Sequence, residues 1–395
     1  MNKNRTLKLA ALLLALLLAV APMGALAEEM DAIEIDGAPG LEEAVAQSDL
    51  SGLELDISEP VAEEPVPVQE EALAENAAVA INSKNFPDKV FRAYVKENFD
   101  TDGNGKLSKA EINAVTDIDV YDMGIANLKG VERFTNLESL SCISNKLKSL
   151  DIRKNTKLWL LSCSFNALTK LDVSKNTKLT YLSCKDNKLK TLVVSKLKLL
   201  ESLDCGNNAL TKLDVSKNTK LESLSCSYNK LKTLNVAKCT KLEMLFCTGN
   251  ALTKLEVGKN TKLDYLDCSD NKLKNLDVSK CKALTDLVCS ENALARIDVS
   301  KNTALELLNC SQNALDKLTL GSTKKLRFLS TWDNKLKTID LKGCPILKAL
   351  AKKKPSFSIG DSIWWENETD ESIEVIAIDD TTKLTDGSKV LYKGA

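Results

Sequence analysis

The chain has 395 residues, 28% of them charged and 5% aromatic, and it contains no histidine. The missing histidine removes the commonest general base and the commonest zinc ligand together. A formal net charge of −1 hides a strong segregation, since residues 28–80 sum to −16 and residues 136–345 to +15; the distribution of charge is therefore informative where the total is not.

Residues 1–27 read as a secretory leader. Lys3, Arg5 and Lys8 supply a positive start, and Leu9–Val20 an apolar run too short to span a bilayer. Ala25-Leu26-Ala27 is a small-residue cleavage site, and no cysteine follows it, so a lipid-anchored form is not indicated. Export is expected. Residues 28–80 carry 16 acids and no bases among Pro, Ala and Gly. Such a segment cannot bury enough apolar surface to offset its ordering entropy, which predicts a disordered acidic linker.

Residues 81–115 hold the most specific local motif. Asp100-Thr-Asp-Gly-Asn-Gly-Lys-Leu-Ser-Lys-Ala-Glu111 matches, position by position, the twelve-residue loop of an EF-hand. Calcium needs oxygens converging on a sphere. Asp100, Asp102 and Asn104 offer side-chain oxygens, Lys106 its carbonyl, Ser108 an oxygen directly or through water, and Glu111 closes the loop bidentately. Apolar residues at Phe91, Tyr94, Val95 and Phe99 fall at helical spacing before the loop, and Ser108-Lys-Ala-Glu111 can cap a helix after it. No partner loop is visible, so the resemblance implies a weak, structural site, a calcium-stiffened helical cap.

From about residue 136 to 345 the chain repeats itself every 21 residues. Asparagine recurs at Asn145, Asn166, Asn187, Asn208, Asn229, Asn250, Asn271, Asn292, Asn313 and Asn334. Within the unit Lys157–Thr177, Leu158, Leu161, Cys163, Leu168, Leu171 and Val173 are the fixed apolar positions. The form LxxLxCxxNxLxxLDVxxN resembles the bacterial 21-residue class of leucine-rich repeat. Before it, Ile125-x-x-Leu-Lys-Gly-Val-x-x-Phe-Thr-Asn-Leu137 resembles the repeats of internalin-type proteins, and a divergent first repeat is what end-capping requires. These resemblances imply a leucine-rich repeat solenoid over residues 116–345, one divergent plus ten regular repeats, built mainly of parallel β coils. Alternation predicts a short strand at Leu161-Ser-Cys163 and a second, on the opposite side, at Leu171-Asp-Val173.

All 12 cysteines lie in the repeats. Nine form a ladder from Cys142 to Cys310, where other such repeats place a buried aliphatic residue; Cys239, Cys281 and Cys344 occupy a second repeat position. Opposed residues on parallel strands present nearly parallel Cβ vectors, which suits disulfides poorly, so buried free thiols are expected. Ligands for zinc should converge, not stack in line. The asparagines are expected to turn inward and bond backbone groups of neighbouring coils.

What varies between repeats is a set of large side chains flanking the strand: Trp159, Phe165, Tyr181, Tyr228, Phe246, Tyr265, Phe328 and Trp332, with acids at Asp264, Asp267, Asp270, Asp286 and Glu291. By alternation they point out of the sheet, onto the face that leucine-rich repeats commonly use for binding, and exposed aromatics there suit recognition of a protein or glycan. Drift at unconstrained positions is the plainer account, but it should favour small polar residues. A second regularity is basic: Lys154, Lys175, Lys196, Lys217, Lys238, Lys259, Lys280 and Lys301 share one position. The simpler reading is a solvated face, with acids three residues earlier as counter-charges. The functional rival is electrostatic attachment to an anionic wall or matrix polymer such as teichoic acid, glycosaminoglycan or nucleic acid, of which nucleic acid is the least favoured.

In residues 346–395, Ile373–Ile378 and Lys389–Tyr392 read as strands of a C-terminal cap, and no sortase signal, transmembrane segment or wall-binding repeat is recognisable. With no histidine, nucleophile elbow or phosphate loop, nothing assembles a reaction centre. The sequence thus points to a secreted or cell-surface, monomeric, non-enzymatic binding protein with calcium in its cap.

Overall fold

The computed structural model describes residues 78–353, 355–359, 362–369 and 372–392. The expected leader and most of the acidic linker lie outside the described residues.

The N-terminal cap is a helix–loop–helix. Helix α1 (Lys89–Phe99) starts at Asp88, whose Oδ1 accepts from the N–H groups of Val90 and Phe91, and buries Phe91 and Val95. The second carboxylate oxygen of Asp88 accepts from the N–H of Ala126, 2.9 Å away, so one side chain both caps the helix and ties it to the first coil. Phe86, Phe99 and Phe134 meet at the junction, with the Phe99 and Phe134 rings 5.2 Å apart edge to face. Gly130 is left-handed and lies against the Phe86 ring, where a Cβ would clash. Helix α2 (Lys109–Ala114) follows the loop and is capped at Ser108.

One pairing in the cap is invisible in the sequence. Strand β1 (Val79–Ala80), at the end of the stretch read as linker, pairs antiparallel with β2 (Lys106–Leu107) inside the acidic loop. The ordered domain therefore begins at least two residues before the expected boundary at 81. Leu107 is fully buried.

The repeats form a parallel β solenoid. Three-residue strands at Ser139–Ser141, Leu160–Ser162, Tyr181–Ser183 and onward to Phe328–Ser330 pair in strict register, Leu140 against Leu161 and Leu161 against Leu182. They belong to a sheet of 14 strands that starts at Asp117–Asp119 in the divergent repeat. Each central leucine points inward and is wholly buried, as is each ladder cysteine just past the strand. A fully buried leucine contributes about 1.5–3 kcal/mol, so the stack is stabilised coil by coil without a central core. All the cysteines are free thiols.

The second strand forms only late. Arg296–Asp298 pairs with Lys317–Thr319, and Thr338–Asp340 pairs with Lys383–Asp386. In earlier coils Leu171 and Val173 are buried in extended chain without a ladder. Two of the late strands centre on Ile297 and Ile339, β-branched residues that favour extended backbone over the leucine found elsewhere.

Elsewhere the backs of neighbouring coils are joined by a second asparagine column, Asn155, Asn176, Asn218, Asn260 and Asn302, which Leu197 interrupts. Asn176 Nδ2, for example, donates to the carbonyls of Ile152 and Asn155, both at 2.9 Å. Cysteine takes this position at Cys239 and Cys281, whose thiols point at carbonyls of the preceding coil.

Past Pro345 the chain does more than cover the last coil. Helix α3 (Pro345–Leu350) leads to Phe357–Ile359 and to a long strand, Ser362–Thr369, that the sequence reading missed. Ser372–Asp379 then joins the main sheet parallel to Phe328–Ser330, Val375 opposite Phe328, and so continues the solenoid by one turn.

Candidate functional site

Two regions collect the candidate functional side chains: the acidic loop of the cap and the outward face of the main sheet.

In the loop, carboxylate oxygens of Asp100, Asp102 and Glu111 lie within 4.8 Å of one another. Backbone geometry brings them there. Gly103 and Gly105 both take positive φ, +69° and +80°, with open space around them, so it is the turn and not crowding that requires glycine. Asp100 Oδ2 accepts from the N–H of Gly105 at 2.9 Å, while its Oδ1 is buried without a hydrogen-bond partner. Glu111 accepts from the N–H and hydroxyl of Thr101 through Oε1 and from those of Ser108 through Oε2. These donors, the Ser108 N–H first, hold its carboxyl down to about 2. Asp102 and Asn104 cap successive N–H groups of the loop, at Asn104 and Lys106. The donors are all oxygen, one of them is buried and orphaned, and the residues stand in the order an EF-hand uses. The set fits a hard divalent cation.

On the main sheet, each strand places the residue before and the residue after its central leucine on the outward face. The eight sequence-predicted residues divide by exposure. Trp159, Phe165, Tyr181 and Tyr228 are exposed, Tyr228 the most at 57%; Phe246 and Trp332 are half-buried. Tyr265 and Phe328 face outward but are only 7% and 5% exposed, which corrects the expectation that all eight are open to solvent. Their neighbours cover them: the Phe246 ring lies 4.8 Å from that of Tyr265. Phe165 and Tyr228 sit not on the strands but on the turn behind them, at φ of +54° and +53°. This column otherwise carries mostly Asp, Asn or Gly, which tolerate that region; a large aromatic there is strained. Lys185 Nζ stands 5.5 Å from the Phe165 ring centroid.

The face is also acidic, more than the sequence reading counted. Ahead of the strands, Glu201, Glu222, Glu243 and Asp264 occupy one position in four successive coils. Deeper in the face, burial raises the carboxyl of Asp267 despite hydrogen bonds from Ser269 and Thr248, and burial followed by the charge of Asp270 raises that of Glu291. Across residues 136–345, the basic side chains in the columns of this face are Lys185 and Arg327. The signal was the 21-residue step itself, read on the acids as well as on the aromatics.

No family model matches the chain. Internalin J of Listeria monocytogenes serotype 4b (strain F2365) is 40% identical over 71 residues, 18% of this chain and 8% of that protein. The aligned stretch is thus a small part of that relative. Among solved structures, the functional domain of InlJ from Listeria monocytogenes, which includes a cysteine ladder, superposes with a TM-score of 0.55 at 32% identity, covering 69% of this chain and 70% of that one. The leucine-rich repeat domain of APL1 matches with a TM-score of 0.50 at 21% identity, over 60% of this chain and 67% of that one, a likeness of fold alone.

Proposed function

The chain belongs to the internalin-like leucine-rich repeat proteins, and from that premise we propose that it is an exported or surface-associated, non-catalytic binding protein whose outward strand face engages a macromolecular partner, a protein or a glycan. The observation that carries this reading is the placement of Trp159, Phe165, Tyr181 and Tyr228, large exposed aromatics on the strands of a parallel sheet and on the residues that flank them. A pre-formed surface loses little conformational freedom on binding, so aromatic anchors on it retain most of their contact energy. Among the described residues no helix is long and apolar enough to cross a membrane.

The cap has a supporting part. Asp100, Asp102, Asn104, Lys106 through its carbonyl, Ser108 and Glu111 would hold calcium, which supplies charge neutralisation for the clustered carboxylates when bound. The residues of the chain do the rest: Leu107 anchors the loop in the core, β1 pairs with its middle, and the phenylalanines of the cap close the first coil.

The test is capture. Proteins and glycans retained on the immobilised full chain are compared with those retained on a Trp159→Ala, Tyr181→Ala, Tyr228→Ala variant of unchanged melting temperature. Loss of the captured partner supports the face; equal capture by the variant removes it from consideration.

A further inference from the structure

The back of the solenoid carries an array that the strand-face reading does not use. Lys154, Lys175, Lys196 and their equivalents up to Lys301 are exposed in eight successive coils. Seven of them stand directly before a buried residue, Asn155, Asn176, Asn218, Cys239, Asn260, Cys281 or Asn302, that hydrogen-bonds to carbonyls of the coil before, and Lys196 stands before the fully buried Leu197. The lysine backbone is thereby fixed in register from coil to coil. At the roughly 4.8 Å spacing of paired strands, the column runs about 34 Å.

The acids three residues earlier make no direct ion pair with the column, although Lys154, Lys217, Lys280 and Lys301 act at longer range on Asp151, Asp214, Asp277 and Asp298. Asp172, Asp214, Asp277 and Asp298 each accept a backbone N–H two residues on, from Ser174, Ser216, Ser279 and Ser300, all at 2.9 Å. Asp151 is taken by the guanidinium of Arg153. Among the described residues, none of the eight lysines lies within ion-pair distance of a carboxylate. Other lysines flank the column, at Lys157, Lys178 and Lys220 on one side and Lys170, Lys212 and Lys254 on the other. Many of the other acids, Glu201, Glu222, Glu243 and Asp264 among them, stand on the opposite, strand face, which leaves the back with a net positive charge.

We infer that this lysine column is a binding site for a linear phosphate polymer, laid along the solenoid axis on the face opposite the aromatic one. A column in fixed register matches a ligand whose charge also recurs along a line. Lysine offers compact point charges that suit phosphate oxygens, and the column has no arginine to favour planar, bidentate partners. The aromatics of residues 136–345 lie on the strand side, so the back lacks the platforms on which bases of a single-stranded nucleic acid would stack.

The experiment uses the full chain and long-chain inorganic polyphosphate, with dextran sulfate and a DNA duplex of matched total charge as competitors, measured by fluorescence anisotropy from low to moderate salt. The expected result is binding to polyphosphate that outcompetes both rivals and weakens steeply with salt. A Lys196→Gln, Lys217→Gln, Lys238→Gln, Lys259→Gln variant, still folded by circular dichroism, should bind at least tenfold more weakly, with the slope of log affinity against log salt reduced by roughly 3. A Trp159→Ala, Tyr228→Ala variant should bind as the parent does, which separates this site from the strand-face proposal. No binding, an unchanged quadruple variant, equal or better binding of either rival, or loss in the aromatic variant would each overturn the inference.

Discussion

Tyr228 lies across Gly249 of the following coil: a Cβ on that glycine would sit 2.5 Å from Tyr228 Cδ1. Gly249 also takes φ of +65° in the turn column where Tyr228 takes +53°. The exposed ring therefore owes its position to the absence of a side chain 21 residues away. Burial, followed by the charges of Asp267, Asp270 and Glu291, keeps its hydroxyl protonated above the usual range.

Gly249→Ala should accordingly cost about 1–2 kcal/mol, from the left-handed backbone and from the displaced ring. Chemical denaturation measures the loss. A Tyr228→Ala background should recover part of it, because only the backbone component then remains.

The asparagine ladder supports a second prediction. Asn229 Oδ1 accepts from the N–H of Leu210, and its Nδ2 donates to the carbonyls of Cys205, Cys226 and Ser227. Asn229→Ala strands these buried groups, each costing about 1–3 kcal/mol when left unsatisfied. The urea midpoint should drop by more than for any exposed Lys→Ala change on the back face, and an equal drop would show the ladder to be dispensable.

Calcium should raise the melting temperature. A lone extracellular hand binds at roughly 10⁻⁴–10⁻³ M, so 10 mM calcium stabilises the cap by about 1–3 kcal/mol if it binds only the folded state. Asp100→Asn with Glu111→Gln should abolish the shift seen by scanning calorimetry. A melting curve indifferent to calcium in the parent chain would remove the metal from the account.

The buried thiols give the stability a defined alkaline limit. Burial pushes Cys142, Cys226 and Cys310 up to about 12 and Cys239 and Cys281 up to about 11, against roughly 8.5 in an unfolded chain. A raised folded value means that the contribution is complete below the unfolded one and is lost as pH climbs through the folded one. Urea midpoints should be flat from pH 7 to 8 and fall increasingly above about 9. The native chain should also leave its 12 cysteines unreactive to a thiol reagent until denaturant is added.

Glu111 sets the opposite limit locally. Its carboxyl, held to about 2 by the Ser108 N–H and by the Thr101 and Ser108 hydroxyls, lies below its unfolded value. That contribution is complete above the unfolded value near 4.3 and disappears as pH falls toward 2. Loss of helix α2 signals by NMR over that window checks it.

Much of this was written in the sequence. The 21-residue step alone placed the inward leucines, the thiol ladder and Asn145 through Asn334, because each is an identical side chain solving an identical burial problem in every coil. The twelve-residue order of the loop placed Asp100, Asp102 and Glu111 for the same reason: local backbone geometry brings them together. Alternation likewise gave the outward direction of Tyr265 and Phe328. What it could not give was their burial, since that is decided by Phe246 and other neighbours one coil away in the stack. The same holds for β1, whose partner lies 26 residues downstream in the loop, and for Ser372–Asp379, which enters the sheet across an insertion that breaks the period. Asp172 and its equivalents could be read as direct partners of the lysines, but the turn geometry gives an oxygen of each to a serine N–H and leaves no ion pair with the column. The sequence determined what repeats, because repetition is a one-dimensional property. Only the folded stack decided which side chains remain open and which charges remain unpaired, because those depend on contacts between coils.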